Sequence, residues 1–249
     1  NNEITISLPN WIPGSYMIRD FAKHVLELKA FDTTSNLAIH TVTKNRFSIA
    51  HNNQTFKITY LYYAFDLSVR KAYLDQEFGF INPASALFCI DQLSDEACEV
   101  ELIKPTNKIC QNWIPASGLD GINHDDCFAW SHYKTDNYIQ LTDYPILFGE
   151  LDIVEFSVAN VPHFLVTAGK HFGDLTRAGK DLTPLCQYHI DMFGELPTSV
   201  NKYLFLTMVT DNGFGGLEHL NSTALVCSRF DIATQDETSP ITNDNYITF

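Results

Sequence analysis

Alternation of apolar and polar positions dominates the first two thirds of the chain. Asn1-Asn2-Glu3-Ile4-Thr5-Ile6-Ser7-Leu8 reads as a half-buried strand from the outset. Thr55 to Phe65 is rich in β-branched and aromatic residues and partly alternates. Glu99 to Ile103, Leu151 to Val158 and His163 to Ala168 are further strand candidates, separated by turn clusters such as Ser117-Gly118-Leu119-Asp120-Gly121. Before about residue 170 the helical period surfaces only over Asp136 to Leu141. An antiparallel β-sandwich or saddle of sheets is the expected N-terminal architecture.

The pattern then changes. Thr183 followed by Pro184 has the form of a helix N-terminus, with proline where its missing N–H costs nothing. Leu185, Tyr188, His189 and Met192 fall on one apolar stripe, and Gly194 with Pro197 marks the end. On that stripe His189 is expected to be a core or boundary histidine. Tyr203-Leu204-Phe205-Leu206 is a continuous apolar run suited to a strand buried on both faces, and Thr223 to Cys227 is a second such strand. After Arg229 the chain turns polar, and Thr242 or Asn243 offers a helix cap before Phe249. Two domains are expected: an N-terminal β domain over 1–169, and over 170–249 the first α+β part of another, with one helix and a mixed sheet. The fold class is mainly β.

Composition narrows the partners. Thirty Asp plus Glu against 16 Lys plus Arg give a net charge of −14. Such a surface repels phosphate backbones and acidic lipid, so neither nucleic acid nor membrane is an expected partner. No run of 18 apolar residues occurs. Six cysteines without a Cys-x-x-Cys pair read as free thiols, which points to the cytoplasm, with the periplasm as the alternative. The absence of an initiator Met suggests numbering that begins inside a longer product.

Catalytic motifs are scarce. No two of the nine histidines are four residues apart, so no single helix presents the paired imidazoles of a thermolysin-type zinc site. A site assembled from loops would be sought at His124-Asp125-Asp126-Cys127, where a solvated turn is the default reading. There is no Gly-x-Ser-x-Gly elbow and no phosphate-cradling Gly-x-x-x-x-Gly-Lys. Two segments stand out. Trp11-Ile12-Pro13-Gly14-Ser15-Tyr16-Met17-Ile18-Arg19 contains a tight Pro-Gly turn, with Tyr16 and Arg19 placed either to reach a cleft or to brace the corner. Gly215-Gly216-Leu217-Glu218-His219 sets a glycine pair beside a carboxylate, which suits a strand edge that a peptide can approach.

These segments, in order with Thr135 to Gly149, Val161 to Gly169 and Phe193 to Pro197, resemble the glycyl aminopeptidase family of zinc metallopeptidases. The resemblance implies a β-rich domain ahead of a thermolysin-like catalytic domain, often with a PDZ domain downstream. It implies preference for peptides with small N-terminal residues, Gly or Ala. By that comparison Glu218 is the anchor for the substrate ammonium, and Gly215 and Gly216 let the backbone pair with the peptide. Zinc would be supplied by ligands beyond Phe249, so the expected function of these residues is the N-terminal part of a zinc metallo-aminopeptidase, inactive alone. The alternative is a non-catalytic β-sandwich module for protein interaction.

Overall fold

A computed structural model describes residues 2–51, 54–234 and 246–247. The fold is mainly β, as the alternation predicts. Four small antiparallel sheets occupy the part before residue 150. In the first, the strand Asn2–Ser7 lies between Arg46–His51 and Cys89–Ile90. It packs against a sheet holding Val25–Phe31 and Lys57–Tyr62, with Ile6, Ala30 and Ile49 buried between them. The run over Thr55 to Phe65 is therefore shorter as a strand than its composition suggests, with Phe65 reduced to a single bridge to Tyr73.

A mixed five-stranded sheet follows: β1 (Asp152–Val158), β2 (Val161–Ala168), β3 (Tyr203–Thr210), β4 (Gly215–Glu218) and β5 (Ser222–Ser228), in the spatial order β1-β2-β3-β5-β4. The pairs β2–β3 and β3–β5 are parallel, and the outer two are antiparallel. Parallel neighbours need a crossover, which here is the helix α1 (Leu175–Phe193) between β2 and β3. The sheet draws strands from both sides of residue 170, so the division expected there falls inside one hydrogen-bonded unit.

One face of this sheet closes the main core. Val166, Ala168, Leu204, Leu206, Met208, Ala224 and Val226 pack against Phe78, Phe80 and Leu147 of the preceding sheets and against Ile12 of the loop after the first strand. The other face carries α1 through Leu175 and Ala178, with Leu165, Val209 and Cys227. The helix thus begins nine residues before Pro184. Asp174 is its N-cap, accepting a hydrogen bond from the Arg177 N–H at 3.2 Å, and Pro184 sits in the interior. The Thr183 hydroxyl turns back onto the Gly179 carbonyl at 2.9 Å instead of capping. Gly179 makes the close approach possible, since a Cβ there would stand 3.0 Å from Val154 Cγ1. Gly194 ends the helix at φ 95°, as expected.

The stripe Leu185–Tyr188–Met192 is exposed, and His189 is exposed with it. The helix lies over the sheet only by its first half, so the core position expected for His189 is not found. The cap expected at Thr242 or Asn243 lies outside the described residues. All six cysteines are unpaired.

His163, 3% exposed, lies between Phe156 and Tyr203 on β1 and β3. Burial holds its pKa below the ordinary histidine value, against an opposing pull from the Val161 carbonyl. The unfolded chain then binds a proton that the folded chain resists, so this contribution is full above about pH 6.5 and is lost as the pH falls below it. His24, also held low by burial, adds in the same sense. The urea midpoint is expected to drop between pH 7 and pH 5, with a smaller drop in His163→Gln. A pH-independent midpoint would contradict this.

Candidate functional site

β4 is the edge strand of the five-stranded sheet, and the hairpin that joins it to β5 sets its hydrogen-bond phase. The His219 N–H donates to the Ser222 carbonyl at 2.8 Å across the turn. Bonded and non-bonded pairs alternate along an antiparallel ladder. The pairs Leu217–Ala224 and Gly215–Val226 therefore exchange hydrogen bonds with β5, while Gly216 and Glu218 turn their N–H and C=O groups outward. A second extended chain can add to that edge.

Neither glycine is required by the chain's own packing. A Cβ at Gly215 would meet nothing within 4 Å, and one at Gly216 would make ordinary contact with Leu225 at 3.4 Å. The room they leave is open to a ligand. Glu218 is exposed and lines a cavity of about 330 Å³ with Ile12, Pro13, Asn82, Ile139 and Asp143 among its walls. Larger hollows of about 550 and 520 Å³ lie elsewhere, but neither touches β4.

The cavity walls come from distant parts of the chain. Asn82, fully buried, caps the short helix Pro83–Ala86 by accepting from the Ala84 N–H at 3.2 Å. Asn137 caps Tyr138–Leu141 likewise at 2.8 Å, and that turn delivers Gln140, Thr142 and Asp143. Asp143 clamps the hairpin: one oxygen lies 2.9 Å from His219 Nδ1, and the other accepts from the Leu220 N–H at 3.0 Å. His219 is buried in this contact, its side chain 5% exposed. Asp143→Ala is expected to cost about 1 kcal/mol and to strip the Leu220 amide of its protection against hydrogen exchange. Retained protection at Leu220 would count against the clamp.

The Trp11–Arg19 segment adjoins the strand. Gly14, at φ 75°, stacks so closely on Leu217 that a Cβ would stand 2.4 Å from Leu217 Cδ1. Ile12 and Pro13 line the cavity. Arg19 is spent on the corner itself, its Nε donating to Ser15 Oγ at 2.9 Å and its N–H to the Asn10 carbonyl at 2.7 Å. Tyr16 is fully exposed and is not among the residues lining the cavity. Of the sequence-selected residues, then, Gly215, Gly216 and Glu218 share the strand edge, and Arg19 braces the turn beside it.

Arg70 was not legible in the sequence. Its Nε donates to the Gly14 carbonyl at 3.0 Å and its Nη2 to the outward carbonyl of Gly216 at 3.4 Å. Asp143 lay unremarked inside the Thr135 to Gly149 segment. No local signal marks either, because their partners are 56 to 146 positions away for Arg70 and 76 to 77 for Asp143.

Among the described residues, no three His, Cys, Asp or Glu side chains converge as metal ligands. His124 stands edge-on to Tyr133 at 5.2 Å, and the Cys127 thiol is pushed up to about 11 by burial. The stretch His124 to Cys127 is a turn packed on the core and does not fit a zinc site.

Among known proteins, the chain is similar to an aminopeptidase N family protein from Idiomarina loihiensis, with a TM-score of 0.94 and 42% identity. The match covers 100% of this chain and 41% of that one, so the chain spans well under half of that relative. An M1 zinc metallopeptidase from Deinococcus radiodurans and a mutant of it match at TM-score 0.50, with 10% and 11% identity. Those matches cover 90% and 92% of this chain and 52% of each enzyme, a likeness of fold alone. No curated protein matches. Residues 1–150 match the model of the Peptidase M61 N-terminal domain. That is more than half of the 249 residues, and the chain belongs to the Peptidase M61 N-terminal domain family.

Proposed function

We propose that this chain is the N-terminal part of a zinc metallo-aminopeptidase, and that Glu218 holds the free ammonium group of a peptide laid against β4. One observation carries the reading: an exposed carboxylate stands on an edge strand whose glycine pair leaves room for another backbone. Glu218 and Gly216 turn their backbone groups to the same edge, so a single peptide can be held by its main chain and by its charged end.

The role is one of binding and register. A carboxylate paired with an ammonium gives charge-assisted hydrogen bonds worth about 1.5–3 kcal/mol. Holding that end decides which peptide bond faces the reacting groups. On this reading the metal's ligands lie in the rest of the whole protein; among the described residues no three His, Cys, Asp or Glu side chains converge. Zinc there would polarise a carbonyl and acidify a water.

The family resemblance supports the finer points of the reading: small N-terminal residues, Gly or Ala, a thermolysin-like remainder of the catalytic domain, and a PDZ domain after it. The continuous sheet supports placing the first wall of that catalytic domain at Asp152, the start of β1, ahead of residue 170. The test is hydrolysis of glycyl and alanyl anilides by the whole protein, and its dependence on Glu218.

A further inference from the structure

We propose that Arg70 receives the C-terminal carboxylate of a short peptide whose ammonium group is held by Glu218, so that di- and tripeptides with free carboxylates are the preferred substrates. The proposal rests on the amine-anchor reading of Glu218 and extends it to the far end of the ligand.

Three observations converge. The first is direction. β4 ends at Glu218, where the chain turns at Leu220 and Asn221 into β5. A peptide whose first residue is held at Glu218 can therefore pair with the strand only toward Gly216, and Arg70 is the side chain bonded to the Gly216 carbonyl.

The second is charge. Arg46, Arg177 and Arg229 each pair with an aspartate. Among the described residues no carboxylate pairs with Arg70, although the chain holds 30 acids against 16 bases. A guanidinium has five N–H donors in a planar fork that matches a carboxylate. Arg70 spends two of them on the Gly14 and Gly216 carbonyls. The bond to Gly216 is long at 3.4 Å, hence weak, and an ionised acceptor displaces it readily.

The third is span. Two residues of strand, Gly216 to Glu218, cover about 7 Å. An extended dipeptide reaches about 7 Å and a tripeptide about 10 Å. A di- or tripeptide is therefore the length of ligand that the proposal sets between Glu218 and the arginine at the Gly216 carbonyl. A longer polypeptide would present a neutral amide to Arg70 at that point.

The test compares kcat/KM for dialanine and trialanine with that for their C-terminal amides, using the whole protein and its Arg70→Met and Arg70→Lys variants. The parent is expected to favour the free acids by about tenfold or more. Arg70→Met should bring the ratio of acid to amide close to one, and Arg70→Lys should restore part of it. Unclamping Gly14 from Gly216 would slow acids and amides together and leave their ratio unchanged, so an equal loss on both overturns the proposal. A parent that cleaves acids and amides equally well also overturns it, while Glu218-dependent anilide hydrolysis would leave the amine anchor standing. A parent that cleaves neither anilides nor peptides overturns both readings.

Discussion

Replacing Glu218 by Ala or Gln in the whole protein is expected to lower kcat/KM for glycyl and alanyl anilides by at least about tenfold. The side chain is exposed and lines the cavity beside β4. Its removal therefore deprives a ligand of a partner and leaves the core intact. Unfolding midpoints of both variants should match the parent, which separates lost binding from lost fold. Gln keeps the shape of the side chain and loses the charge, so it should fall nearly as far as Ala if the partner is an ammonium. Peptides blocked at the N-terminus carry no ammonium, and their cleavage should suffer less. Anilide hydrolysis undiminished in both variants would remove Glu218 from this role.

The largest effect on stability is expected from Leu206→Ala. Leu206 lies on the central strand β3, fully buried, on the face that meets Phe80 and Leu147 of the preceding sheets. Truncation should cost about 2–5 kcal/mol, through lost transfer energy and the cavity left between two sheets that cannot easily close. Urea unfolding should show a lower midpoint at an unchanged slope. Leu185→Ala is the instructive contrast. Its side chain is 59% exposed on the outer half of α1, and its loss should stay within about 0.5 kcal/mol. Equal losses at the two positions would contradict an outer half of α1 that is free of the core.

That contrast also marks how far the sequence could be read. Leu185, Tyr188 and Met192 do share a face of a helix, as their spacing says. Spacing reports a common face and is silent on what covers it. Thr183-Pro184 looked like a helix start because both residues suit one locally, yet the helix begins at Leu175. The N-terminal half is held by Leu175, Ala178 and Gly179 against the sheet, and those contacts outweigh the backbone bond that Pro184 forfeits. The site divides in the same way. Glycine pair, carboxylate and strand were visible at Gly215 to Glu218 because they are consecutive. Arg70 and Asp143 were not, because each meets the strand only after the sheets have packed.

By itself, then, the chain's order of residues determined the β-rich architecture, the positions of the strands that alternate or run apolar, the glycine end of the helix, and the carboxylate on its glycine-flanked segment. Those features depend on neighbours within a few residues, where dihedral preference and side-chain period act directly. Only the tertiary structure decided that β4 is an edge strand, that its outward groups are those of Gly216 and Glu218, and that an arginine and an aspartate from turns in the preceding part of the chain bond to it and to its hairpin. Contacts of that kind join residues far apart along the chain, and burial and hydrogen-bond satisfaction across packed layers select them where no local pattern does.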